Sequence, residues 1–494
     1  MRKPPPNFLI VMTDHQRGDT VLPEHPAITP NLSKMVAEGL TFTNAFCPSP
    51  HCCPARATFF TGLYPSRHGV WNNICNDQFL SRNVKPSATF WSKDLKDAGY
   101  DLHFSGKWHV SLDVKPADVG WTEHFVSAAA PNIHGISWEH YQRIASQPQS
   151  GTRNEGEILR PGYTSPYRLY GTRELQNKHA DHDEKTLALA LDALAKTSSK
   201  DPWGMYVGLI GPHDPYYVPS EFLDLYDPDE IPLPVSYNDS MSDKPRIYQR
   251  MRNVFGQLSS REVKEAIRHF WAYCSYLDHR FGQLLAALDA TGQAENTVVL
   301  YCSDHGDYTG EHGLFAKGIP CFRGAYHVPA VMRWPSGLRS PNRREDAFVS
   351  LADVGPTLLE TAGLPCDPAR FTGQSLVPFL RHQQPTAWRD DIHTQCNGVE
   401  LYYTQRSVST ARYKYVFNGF DFDELYDLQN DPHEMRNLAE LPAYQSVKHH
   451  MCQRLWKFAY QQSDTAINAY ITTALAPQGP ASAFWPPMLL SQNS

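Results

Sequence analysis

The chain has 494 residues, 41% of them apolar and 20% charged, an ordinary globular composition with room for one large α/β domain and a smaller companion. A formal net charge of -7 supplies no basic field for nucleic acid, and no run approaches the ~18 apolar residues of a membrane span. The N-terminal run FLIVM is five residues long, too short for a secretory leader, so the expected location is cytoplasmic.

NFLIVMTD (7–14) reads as a buried strand ending at a carboxylate. ITPNLSKMVAEGLTFTNAF then gives a loop, a helix and a second strand, and GYDLHFSGKWH (99–109) a short strand entering a loop. Residues 128–178 carry few periodic signals and many turn formers, which suggests an insertion near the mouth of a pocket. HADHDEKTLALALDALA (179–195) is helical, with Leu187, Leu191 and Leu194 on one face. WGMYVGLIGPHDPY (203–216) is a strand entering a Gly-Pro turn. YLDHRFGQLLAALDATG (276–292) is a helix with Leu277, Phe281, Leu284 and Leu288 aligned and Gly292 ending it. NTVVLYCSDHGD (296–307) and AVMRWP (330–335) are further strands.

Continuous apolar strands alternating with helices imply a large, mostly parallel sheet covered on both faces. Such sheets bind ligands at the carboxyl ends of their strands. Beyond FTGQSLVPFL (371–380), RSVSTARYKYVFNG (406–419) and DELYDLQNDP (423–432) suggest a smaller antiparallel sheet. The expected division is therefore 1–380 and 381–494. A final helix spans Tyr444 to Gln462, and the Pro-rich tail is either loose or an arm that joins subunits into a homo-oligomer.

Three groups of residues carry the chemistry. Asp14 ends one strand, and Asp304 and His305 end another. Singly, each carboxylate reads as a helix cap; together with the histidine they suit a divalent cation such as Ca²⁺, Mg²⁺ or Mn²⁺. GKWH (Lys107, His109), GPHDP (His213) and HGLFAKG (His312, Lys317) place cations and imidazoles near the same edge. That pattern fits an anion pocket with acid and base groups. HCCPARATFFTG (51–62) sets two adjacent cysteines before a proline and an arginine. No CxxC pair accompanies it, which argues against structural zinc. A Cys52–Cys53 disulfide would be strained, and most of the ten cysteines are expected to be reduced and buried.

This last stretch matches C-x-P-x-R-x-x-x-x-T-G, with Cys52, Pro54, Arg56, Thr61 and Gly62 in place. With GKWH, PHDP, SDHGD, GLFAKG and ELYDLQNDPHEMRNL in order, the chain resembles the formylglycine-dependent sulfatases of the alkaline phosphatase superfamily from about residue 7 to residue 440. The resemblance implies an alkaline-phosphatase-like α/β fold with a C-terminal antiparallel subdomain. It also implies a sulfuric ester hydrolase acting on a small sulfate monoester, with no membrane partner. A maturation enzyme would oxidise Cys52, not Cys53, to formylglycine. A thiol attacking sulfur would form an ester with no easy exit, whereas the aldehyde hydrate carries two hydroxyls, one to attack and one to expel sulfate.

By the same resemblance, Asp14, Asp304, His305 and modified Cys52 would ligate the metal, Ca²⁺ by family habit. Arg56 would hold the hydrate, and Lys107 and Lys317 would bind sulfate oxygens. His213 would protonate the leaving oxygen, His109 would assist release, and Asn73 would line the site. Two positions depart from the pattern. Where Asp or Gln often follows the first metal carboxylate stands His15; it either ligates through nitrogen or turns away and leaves Gln16 to serve. Ala55 replaces a common serine. The rival readings are a phosphonate monoester or phosphodiester hydrolase on the same scaffold, whose members lack the GKWH block, and an anion-binding protein with unmodified Cys52.

Overall fold

A computed structural model describes residues 4–75, 79–127, 138–146, 151–160, 165–173, 178–398, 401–468, 472–476 and 478–486. The FLIVM run lies inside β1 (Asn7–Thr13), buried along its whole length. Its side chains alternate between two layers: Phe8, Ile10 and Met12 join a core with Phe59, Phe60 and Trp91, while Leu9 and Val11 join one with Phe270, Leu277 and Phe281. A strand with period two and no polar face has to be sandwiched in this way.

The sheet is completed by β2 (Leu40–Phe46), β3 (Asp101–Lys107), β4 (Thr122–Ser127), β5 (Trp203–Gly208), β6 (Thr297–Ser303), β7 (Ala330–Arg333) and β8 (Arg343–Ser350). The spatial order is β8-β2-β7-β6-β1-β5-β3-β4. Only β7 runs against the rest, pairing antiparallel with β6 and β2; every other pairing is parallel. Five helices matter for the site and its support: α1 (Pro30–Glu38), α2 (Cys52–Thr61), α3 (Lys178–Leu194), α4 (Ser260–Ala290) and α5 (Gln445–Gln461). The helix expected from residue 276 starts at Ser260. Ser259 and Glu262 cap each other there, the S-x-x-E capping signal.

α2 is buried at every position. Phe60 stacks on Trp91 with centroids 5.9 Å apart, and Gly62 ends the helix at φ +70°, its N–H donating to the Thr58 carbonyl at 2.8 Å. A Cβ on Gly62 would stand 2.4 Å from Phe371 Cδ1. Gly62→Ala is therefore expected to cost about 1–3 kcal/mol of stability, read as a lower melting temperature.

The second sheet is β9 (Asp391–Cys396), β10 (Gln405–Thr410), β11 (Tyr413–Asn418) and β12 (Glu424–Asp427), antiparallel throughout. One face packs Val408, Tyr415 and Leu425 under α5; the other sends Ile392, Cys396 and Val416 into the main core. The tail residues 478–486 do not form a loose arm. Trp485 stacks on His449 and Phe484 packs on Tyr460, both of α5 in the same chain. Residues 487–494, and 128–137, 147–150, 161–164 and 174–177 of the expected insertion, lie outside the described residues. From the described part of that insertion, Tyr167 donates its hydroxyl to the Asp214 carboxylate, beside His213. All ten cysteines are free and only Cys366 is not fully buried. Among the described residues no helix is long and apolar enough to cross a membrane.

Candidate active site

β1 and β6 pair in register, Thr13 opposite Ser303, so Asp14 and Asp304 leave the sheet side by side. Lys107 is the last residue of β3, and His213 follows β5. Cys52 opens α2 after β2. These sites share one carboxyl edge, where a parallel sheet leaves its crevice.

The signature spacing has a structural cause. Cys52 and Arg56 lie one helical turn apart, on one face of α2. The fully buried Arg56 guanidinium donates from Nε to Asp304 Oδ2 at 2.8 Å and from Nη2 to Asp14 Oδ2 at 3.3 Å. Its Nη1 donates to the Lys107 carbonyl at 3.1 Å and to the Tyr206 hydroxyl at 3.0 Å. Pro54 occupies the first turn, where no N–H is needed. Asn73 Oδ1 accepts from the Cys53 N–H at 3.2 Å, so Asn73 serves as a cap for this helix start.

Cys52 Sγ lies 3.7 Å from Asp14 Oδ1, 3.4 Å from His305 Nε2 and 3.4 Å from Lys317 Nζ. Asp14, Cys52, Asp304 and His305 each offer a ligand atom, all within 4.8 Å of one another, and all four residues are buried. His305 Nδ1 donates to the Gly306 carbonyl at 2.9 Å. That bond places the ring proton on Nδ1 and leaves the Nε2 lone pair facing the group. Two carboxylates and one imidazole lone pair converging on one point fit a divalent cation.

The charges are strongly coupled. Burial opposes ionisation of Asp14, yet Lys107, His213 and Arg56 hold its carboxyl well below the usual range, and the Lys107 ammonium rests on it. Burial and the neighbouring Asp14 push Asp304 up to about 6. For Cys52, burial and Asp14 favour the thiol, but Lys107, Lys317 and His305 outweigh them and pull it well below its ordinary value. Cys53 goes the other way, raised by burial and by Cys75. Its sulfur accepts the Ile74 N–H at 3.4 Å inside the core. Only Cys52 has the environment of a reactive cysteine. Burial lowers His109 to about 4, and its Nδ1 has no hydrogen-bond partner among the described residues.

Of His15 and Gln16, only His15 keeps its side chain in the site. Gln16 turns away, accepting from Thr13 at 3.0 Å and Tyr301 at 2.7 Å and donating to Thr20 at 3.0 Å. His15, at φ +68°, keeps its ring in the site. Its Nδ1 is 3.1 Å from Asp307 Oδ2, and its Nε2 meets the Lys317 ammonium. Its centroid lies 3.9 Å from that of His213 and 4.4 Å from that of His305. Asp14, His15 and His213 form a second trio of potential ligands within 4.8 Å, whereas the quartet around Cys52 excludes His15.

His213 Nδ1 donates to the Asp214 carbonyl at 2.6 Å. The loop that carries it is held by Asp183 of α3, which accepts the N–H groups of Ile210 at 2.7 Å and Gly211 at 2.8 Å. The Asp14 N–H in turn donates to the Gly211 carbonyl at 3.1 Å. The sequence reading missed Asp183, although HADHDE puts a carboxylate in the first turns of that helix. It also missed His51 and Asp307, which sit inside the quoted motifs. His312, expected among the pocket cations, is elsewhere: it bonds Asp239 at 2.7 Å and stacks on Phe322 at 3.6 Å. A left-handed backbone at φ +52° turns it there.

Comparison with known proteins identifies the family. The Sulfatase family model matches residues 6–364, and the model for the N-sulphoglucosamine sulphohydrolase C-terminal region matches residues 310–461. The choline-sulfatase of Rhizobium meliloti (strain 1021) is 30% identical over 467 residues, covering 88% of this chain and 83% of that protein. The multifunctional alkaline phosphatase superfamily protein PehA of Trinickia caryophylli is 25% identical over 523 residues, covering 96% and 98%. Among solved structures, the phosphonate monoester hydrolase of Agrobacterium radiobacter shares the fold with a TM-score of 0.74 at 22% identity, covering 92% of this chain and 96% of that one. A 2-O GAG sulfatase does so at 0.73 and 20%, covering 93% of each. The chain belongs to the sulfatase family and is a sulfuric ester hydrolase.

Proposed function

We propose that the chain hydrolyses a small sulfate monoester, of a carbohydrate, an aryl alcohol or a small alkyl alcohol, at residue 52, after a maturation enzyme has converted Cys52 to formylglycine. The observation that carries this reading is the meeting of Cys52 with Asp14, Asp304 and His305 on one side and Lys317 on the other. Asp14, Asp304 and His305, with residue 52, would hold one divalent cation, Ca²⁺, Mg²⁺ or Mn²⁺. When bound, that cation supplies charge that acidifies a neighbouring hydroxyl and a position for a sulfate oxygen. Formylglycine, as its hydrate, supplies paired hydroxyls, so that one takes the sulfuryl group and the other releases it. We place the division between this catalytic unit and the C-terminal subdomain at residue 380.

The chain's own residues do the rest. Arg56 fixes Asp14 and Asp304 and orients residue 52. Lys107 and Lys317, both kept charged by their anionic neighbours against the pull of burial, bind sulfuryl oxygens and offset the charge that builds in the transition state. His213 gives a proton to the leaving alcohol oxygen, together with Lys317. His109, neutral because it is buried, takes a proton as sulfate departs. His15 braces Lys317 from the far side, and Asn73 holds the start of α2.

Asp183 acts through His213. Asp183→Asn turns one of the two oxygens, each of which accepts one of these N–H groups, into an NH₂ that cannot accept. It is expected to lower kcat about tenfold for an alkyl sulfate and much less for 4-nitrophenyl sulfate, whose leaving group needs no proton; steady-state kinetics on both esters checks this. The reading itself is tested on converted protein with 4-nitrophenyl sulfate, a phenylphosphonate monoester and a phosphodiester. The sulfate ester is expected to have the highest kcat/KM. A phosphonate or phosphodiester preference would move the chain to the other chemistry of this scaffold. Binding of sulfate without turnover, at an unmodified Cys52, would make it an anion-binding protein.

A further inference from the structure

His51 immediately precedes Cys52 and is the N-cap of α2, yet its side chain does not cap the helix. The ring is 1% exposed. Its Nδ1 lies 3.6 Å from Cys396 Sγ, and that sulfur lies 3.2 Å from the Tyr403 hydroxyl. Cys396 ends β9 and Tyr403 precedes β10, so this side of the ring belongs to the C-terminal sheet. The other nitrogen, Nε2, is buried and has no hydrogen-bond partner among the described residues. The charged groups that act on the ring are Lys317, His305 and Cys52, the same groups that meet at the reacting position. A buried imidazole nitrogen left unsatisfied is costly, so its partner is to be sought in what enters the site.

The partners on the Nδ1 side bear on the tautomer. A thiol S–H donates to a ring lone pair, and a tyrosine hydroxyl donates to sulfur. When the run goes from Tyr403 to Cys396 to Nδ1, Nδ1 is the acceptor and the ring proton sits on Nε2; the reverse run would put it on Nδ1. With the proton on Nε2, the residue next to Cys52 in sequence carries an N–H donor with no protein partner among the described residues.

We infer that His51 is a substrate-binding residue: its Nε2–H donates to a sulfuryl oxygen of the bound ester, and Cys396 of the C-terminal sheet holds it in that tautomer. The second sheet thus does more than support the fold, since it fixes one donor of the anion pocket. This inference rests on the sulfate-ester reading above.

The experiment compares His51→Gln, His51→Asn and His51→Phe, with formylglycine at position 52 quantified by peptide mass spectrometry because residue 51 adjoins the modified residue. Two quantities are read per converted site: binding of inorganic sulfate, by thermal shift and by inhibition, and kcat/KM for 4-nitrophenyl sulfate. The amide of Gln reaches the position of Nε2, and the amide of Asn reaches only that of Nδ1. His51→Gln is therefore expected to stay within about threefold of the parent, while Asn and Phe lose about ten- to a hundredfold in both quantities. Cys396→Ala is expected to lose a smaller factor. The inference is overturned if Asn or Phe binds sulfate as the parent does, or if Gln falls as far as they do; a merely space-filling His51 would also favour Phe over Asn. Sulfate binding is read even if the parent turns over no sulfate ester, so failure of the wider reading and failure of the His51 contact are distinguishable.

Discussion

Cys52→Ala is expected to lower kcat/KM for a sulfate ester by about 10⁴-fold or more, whereas Cys53→Ala should stay within about threefold per converted site. The adjacent cysteines differ in everything but sequence position. The Cys52 sulfur faces Asp14, His305 and Lys317 at 3.4 to 3.7 Å. The Cys53 sulfur faces Ile74 and the core. The cations that pull the Cys52 thiol down act on Cys53 too weakly to offset its burial. Steady-state kinetics with circular dichroism as a control for folding would separate the two. Comparable losses at both positions would mean that the pair acts as a packing unit and not through one nucleophile.

Arg56→Ala has the second largest expected effect, and it acts on stability as well as rate. The guanidinium lies with no exposure between two fully buried carboxylates and makes four hydrogen bonds. Removing it leaves Asp14 and Asp304 facing each other without the one group that bonds both. Breaking a buried ion pair from one side costs about 3–5 kcal/mol, and the same loss disorders the donors around residue 52. Arg56→Lys is expected to recover little, because one ammonium cannot present the planar fork that reaches Asp304, Asp14, Tyr206 and the Lys107 carbonyl together. Chemical denaturation checks the stability of both variants. A lysine variant as stable as the parent would show that charge alone, without the fork, holds this site.

How much of this was legible in the sequence depends on burial. The central strands β1, β5 and β6 are apolar runs because both faces are covered, and such runs announce themselves. The strands at the two sheet edges did not. Thr122–Ser127 is exposed or half-exposed throughout, and Arg343–Ser350 opens with RRED, so neither shows the apolar continuity that marks a buried strand. α4 was found only from its C-terminal half; its start is announced by the capping pair Ser259 and Glu262 and not by periodicity. In the site, strand ends and motifs pointed to Asp14, Cys52, Asp304, His305 and Lys317, and the fold brings them together. Partners that arise from the fold alone were not visible. Asp183 and Ile210 are 27 positions apart, and Cys396 lies 345 positions from His51. His312 shows the converse: its composition and neighbours looked like a site, but one left-handed residue turns it toward Asp239.

The most direct test is peptide mass spectrometry on the tryptic fragment from Met35 to Arg56, from protein purified from its native host. Loss of sulfur and two hydrogens with gain of one oxygen, a decrease of about 18 Da at Cys52 with Cys53 unchanged, is the predicted result. Unmodified cysteine at position 52 in protein that still hydrolyses sulfate esters would contradict it.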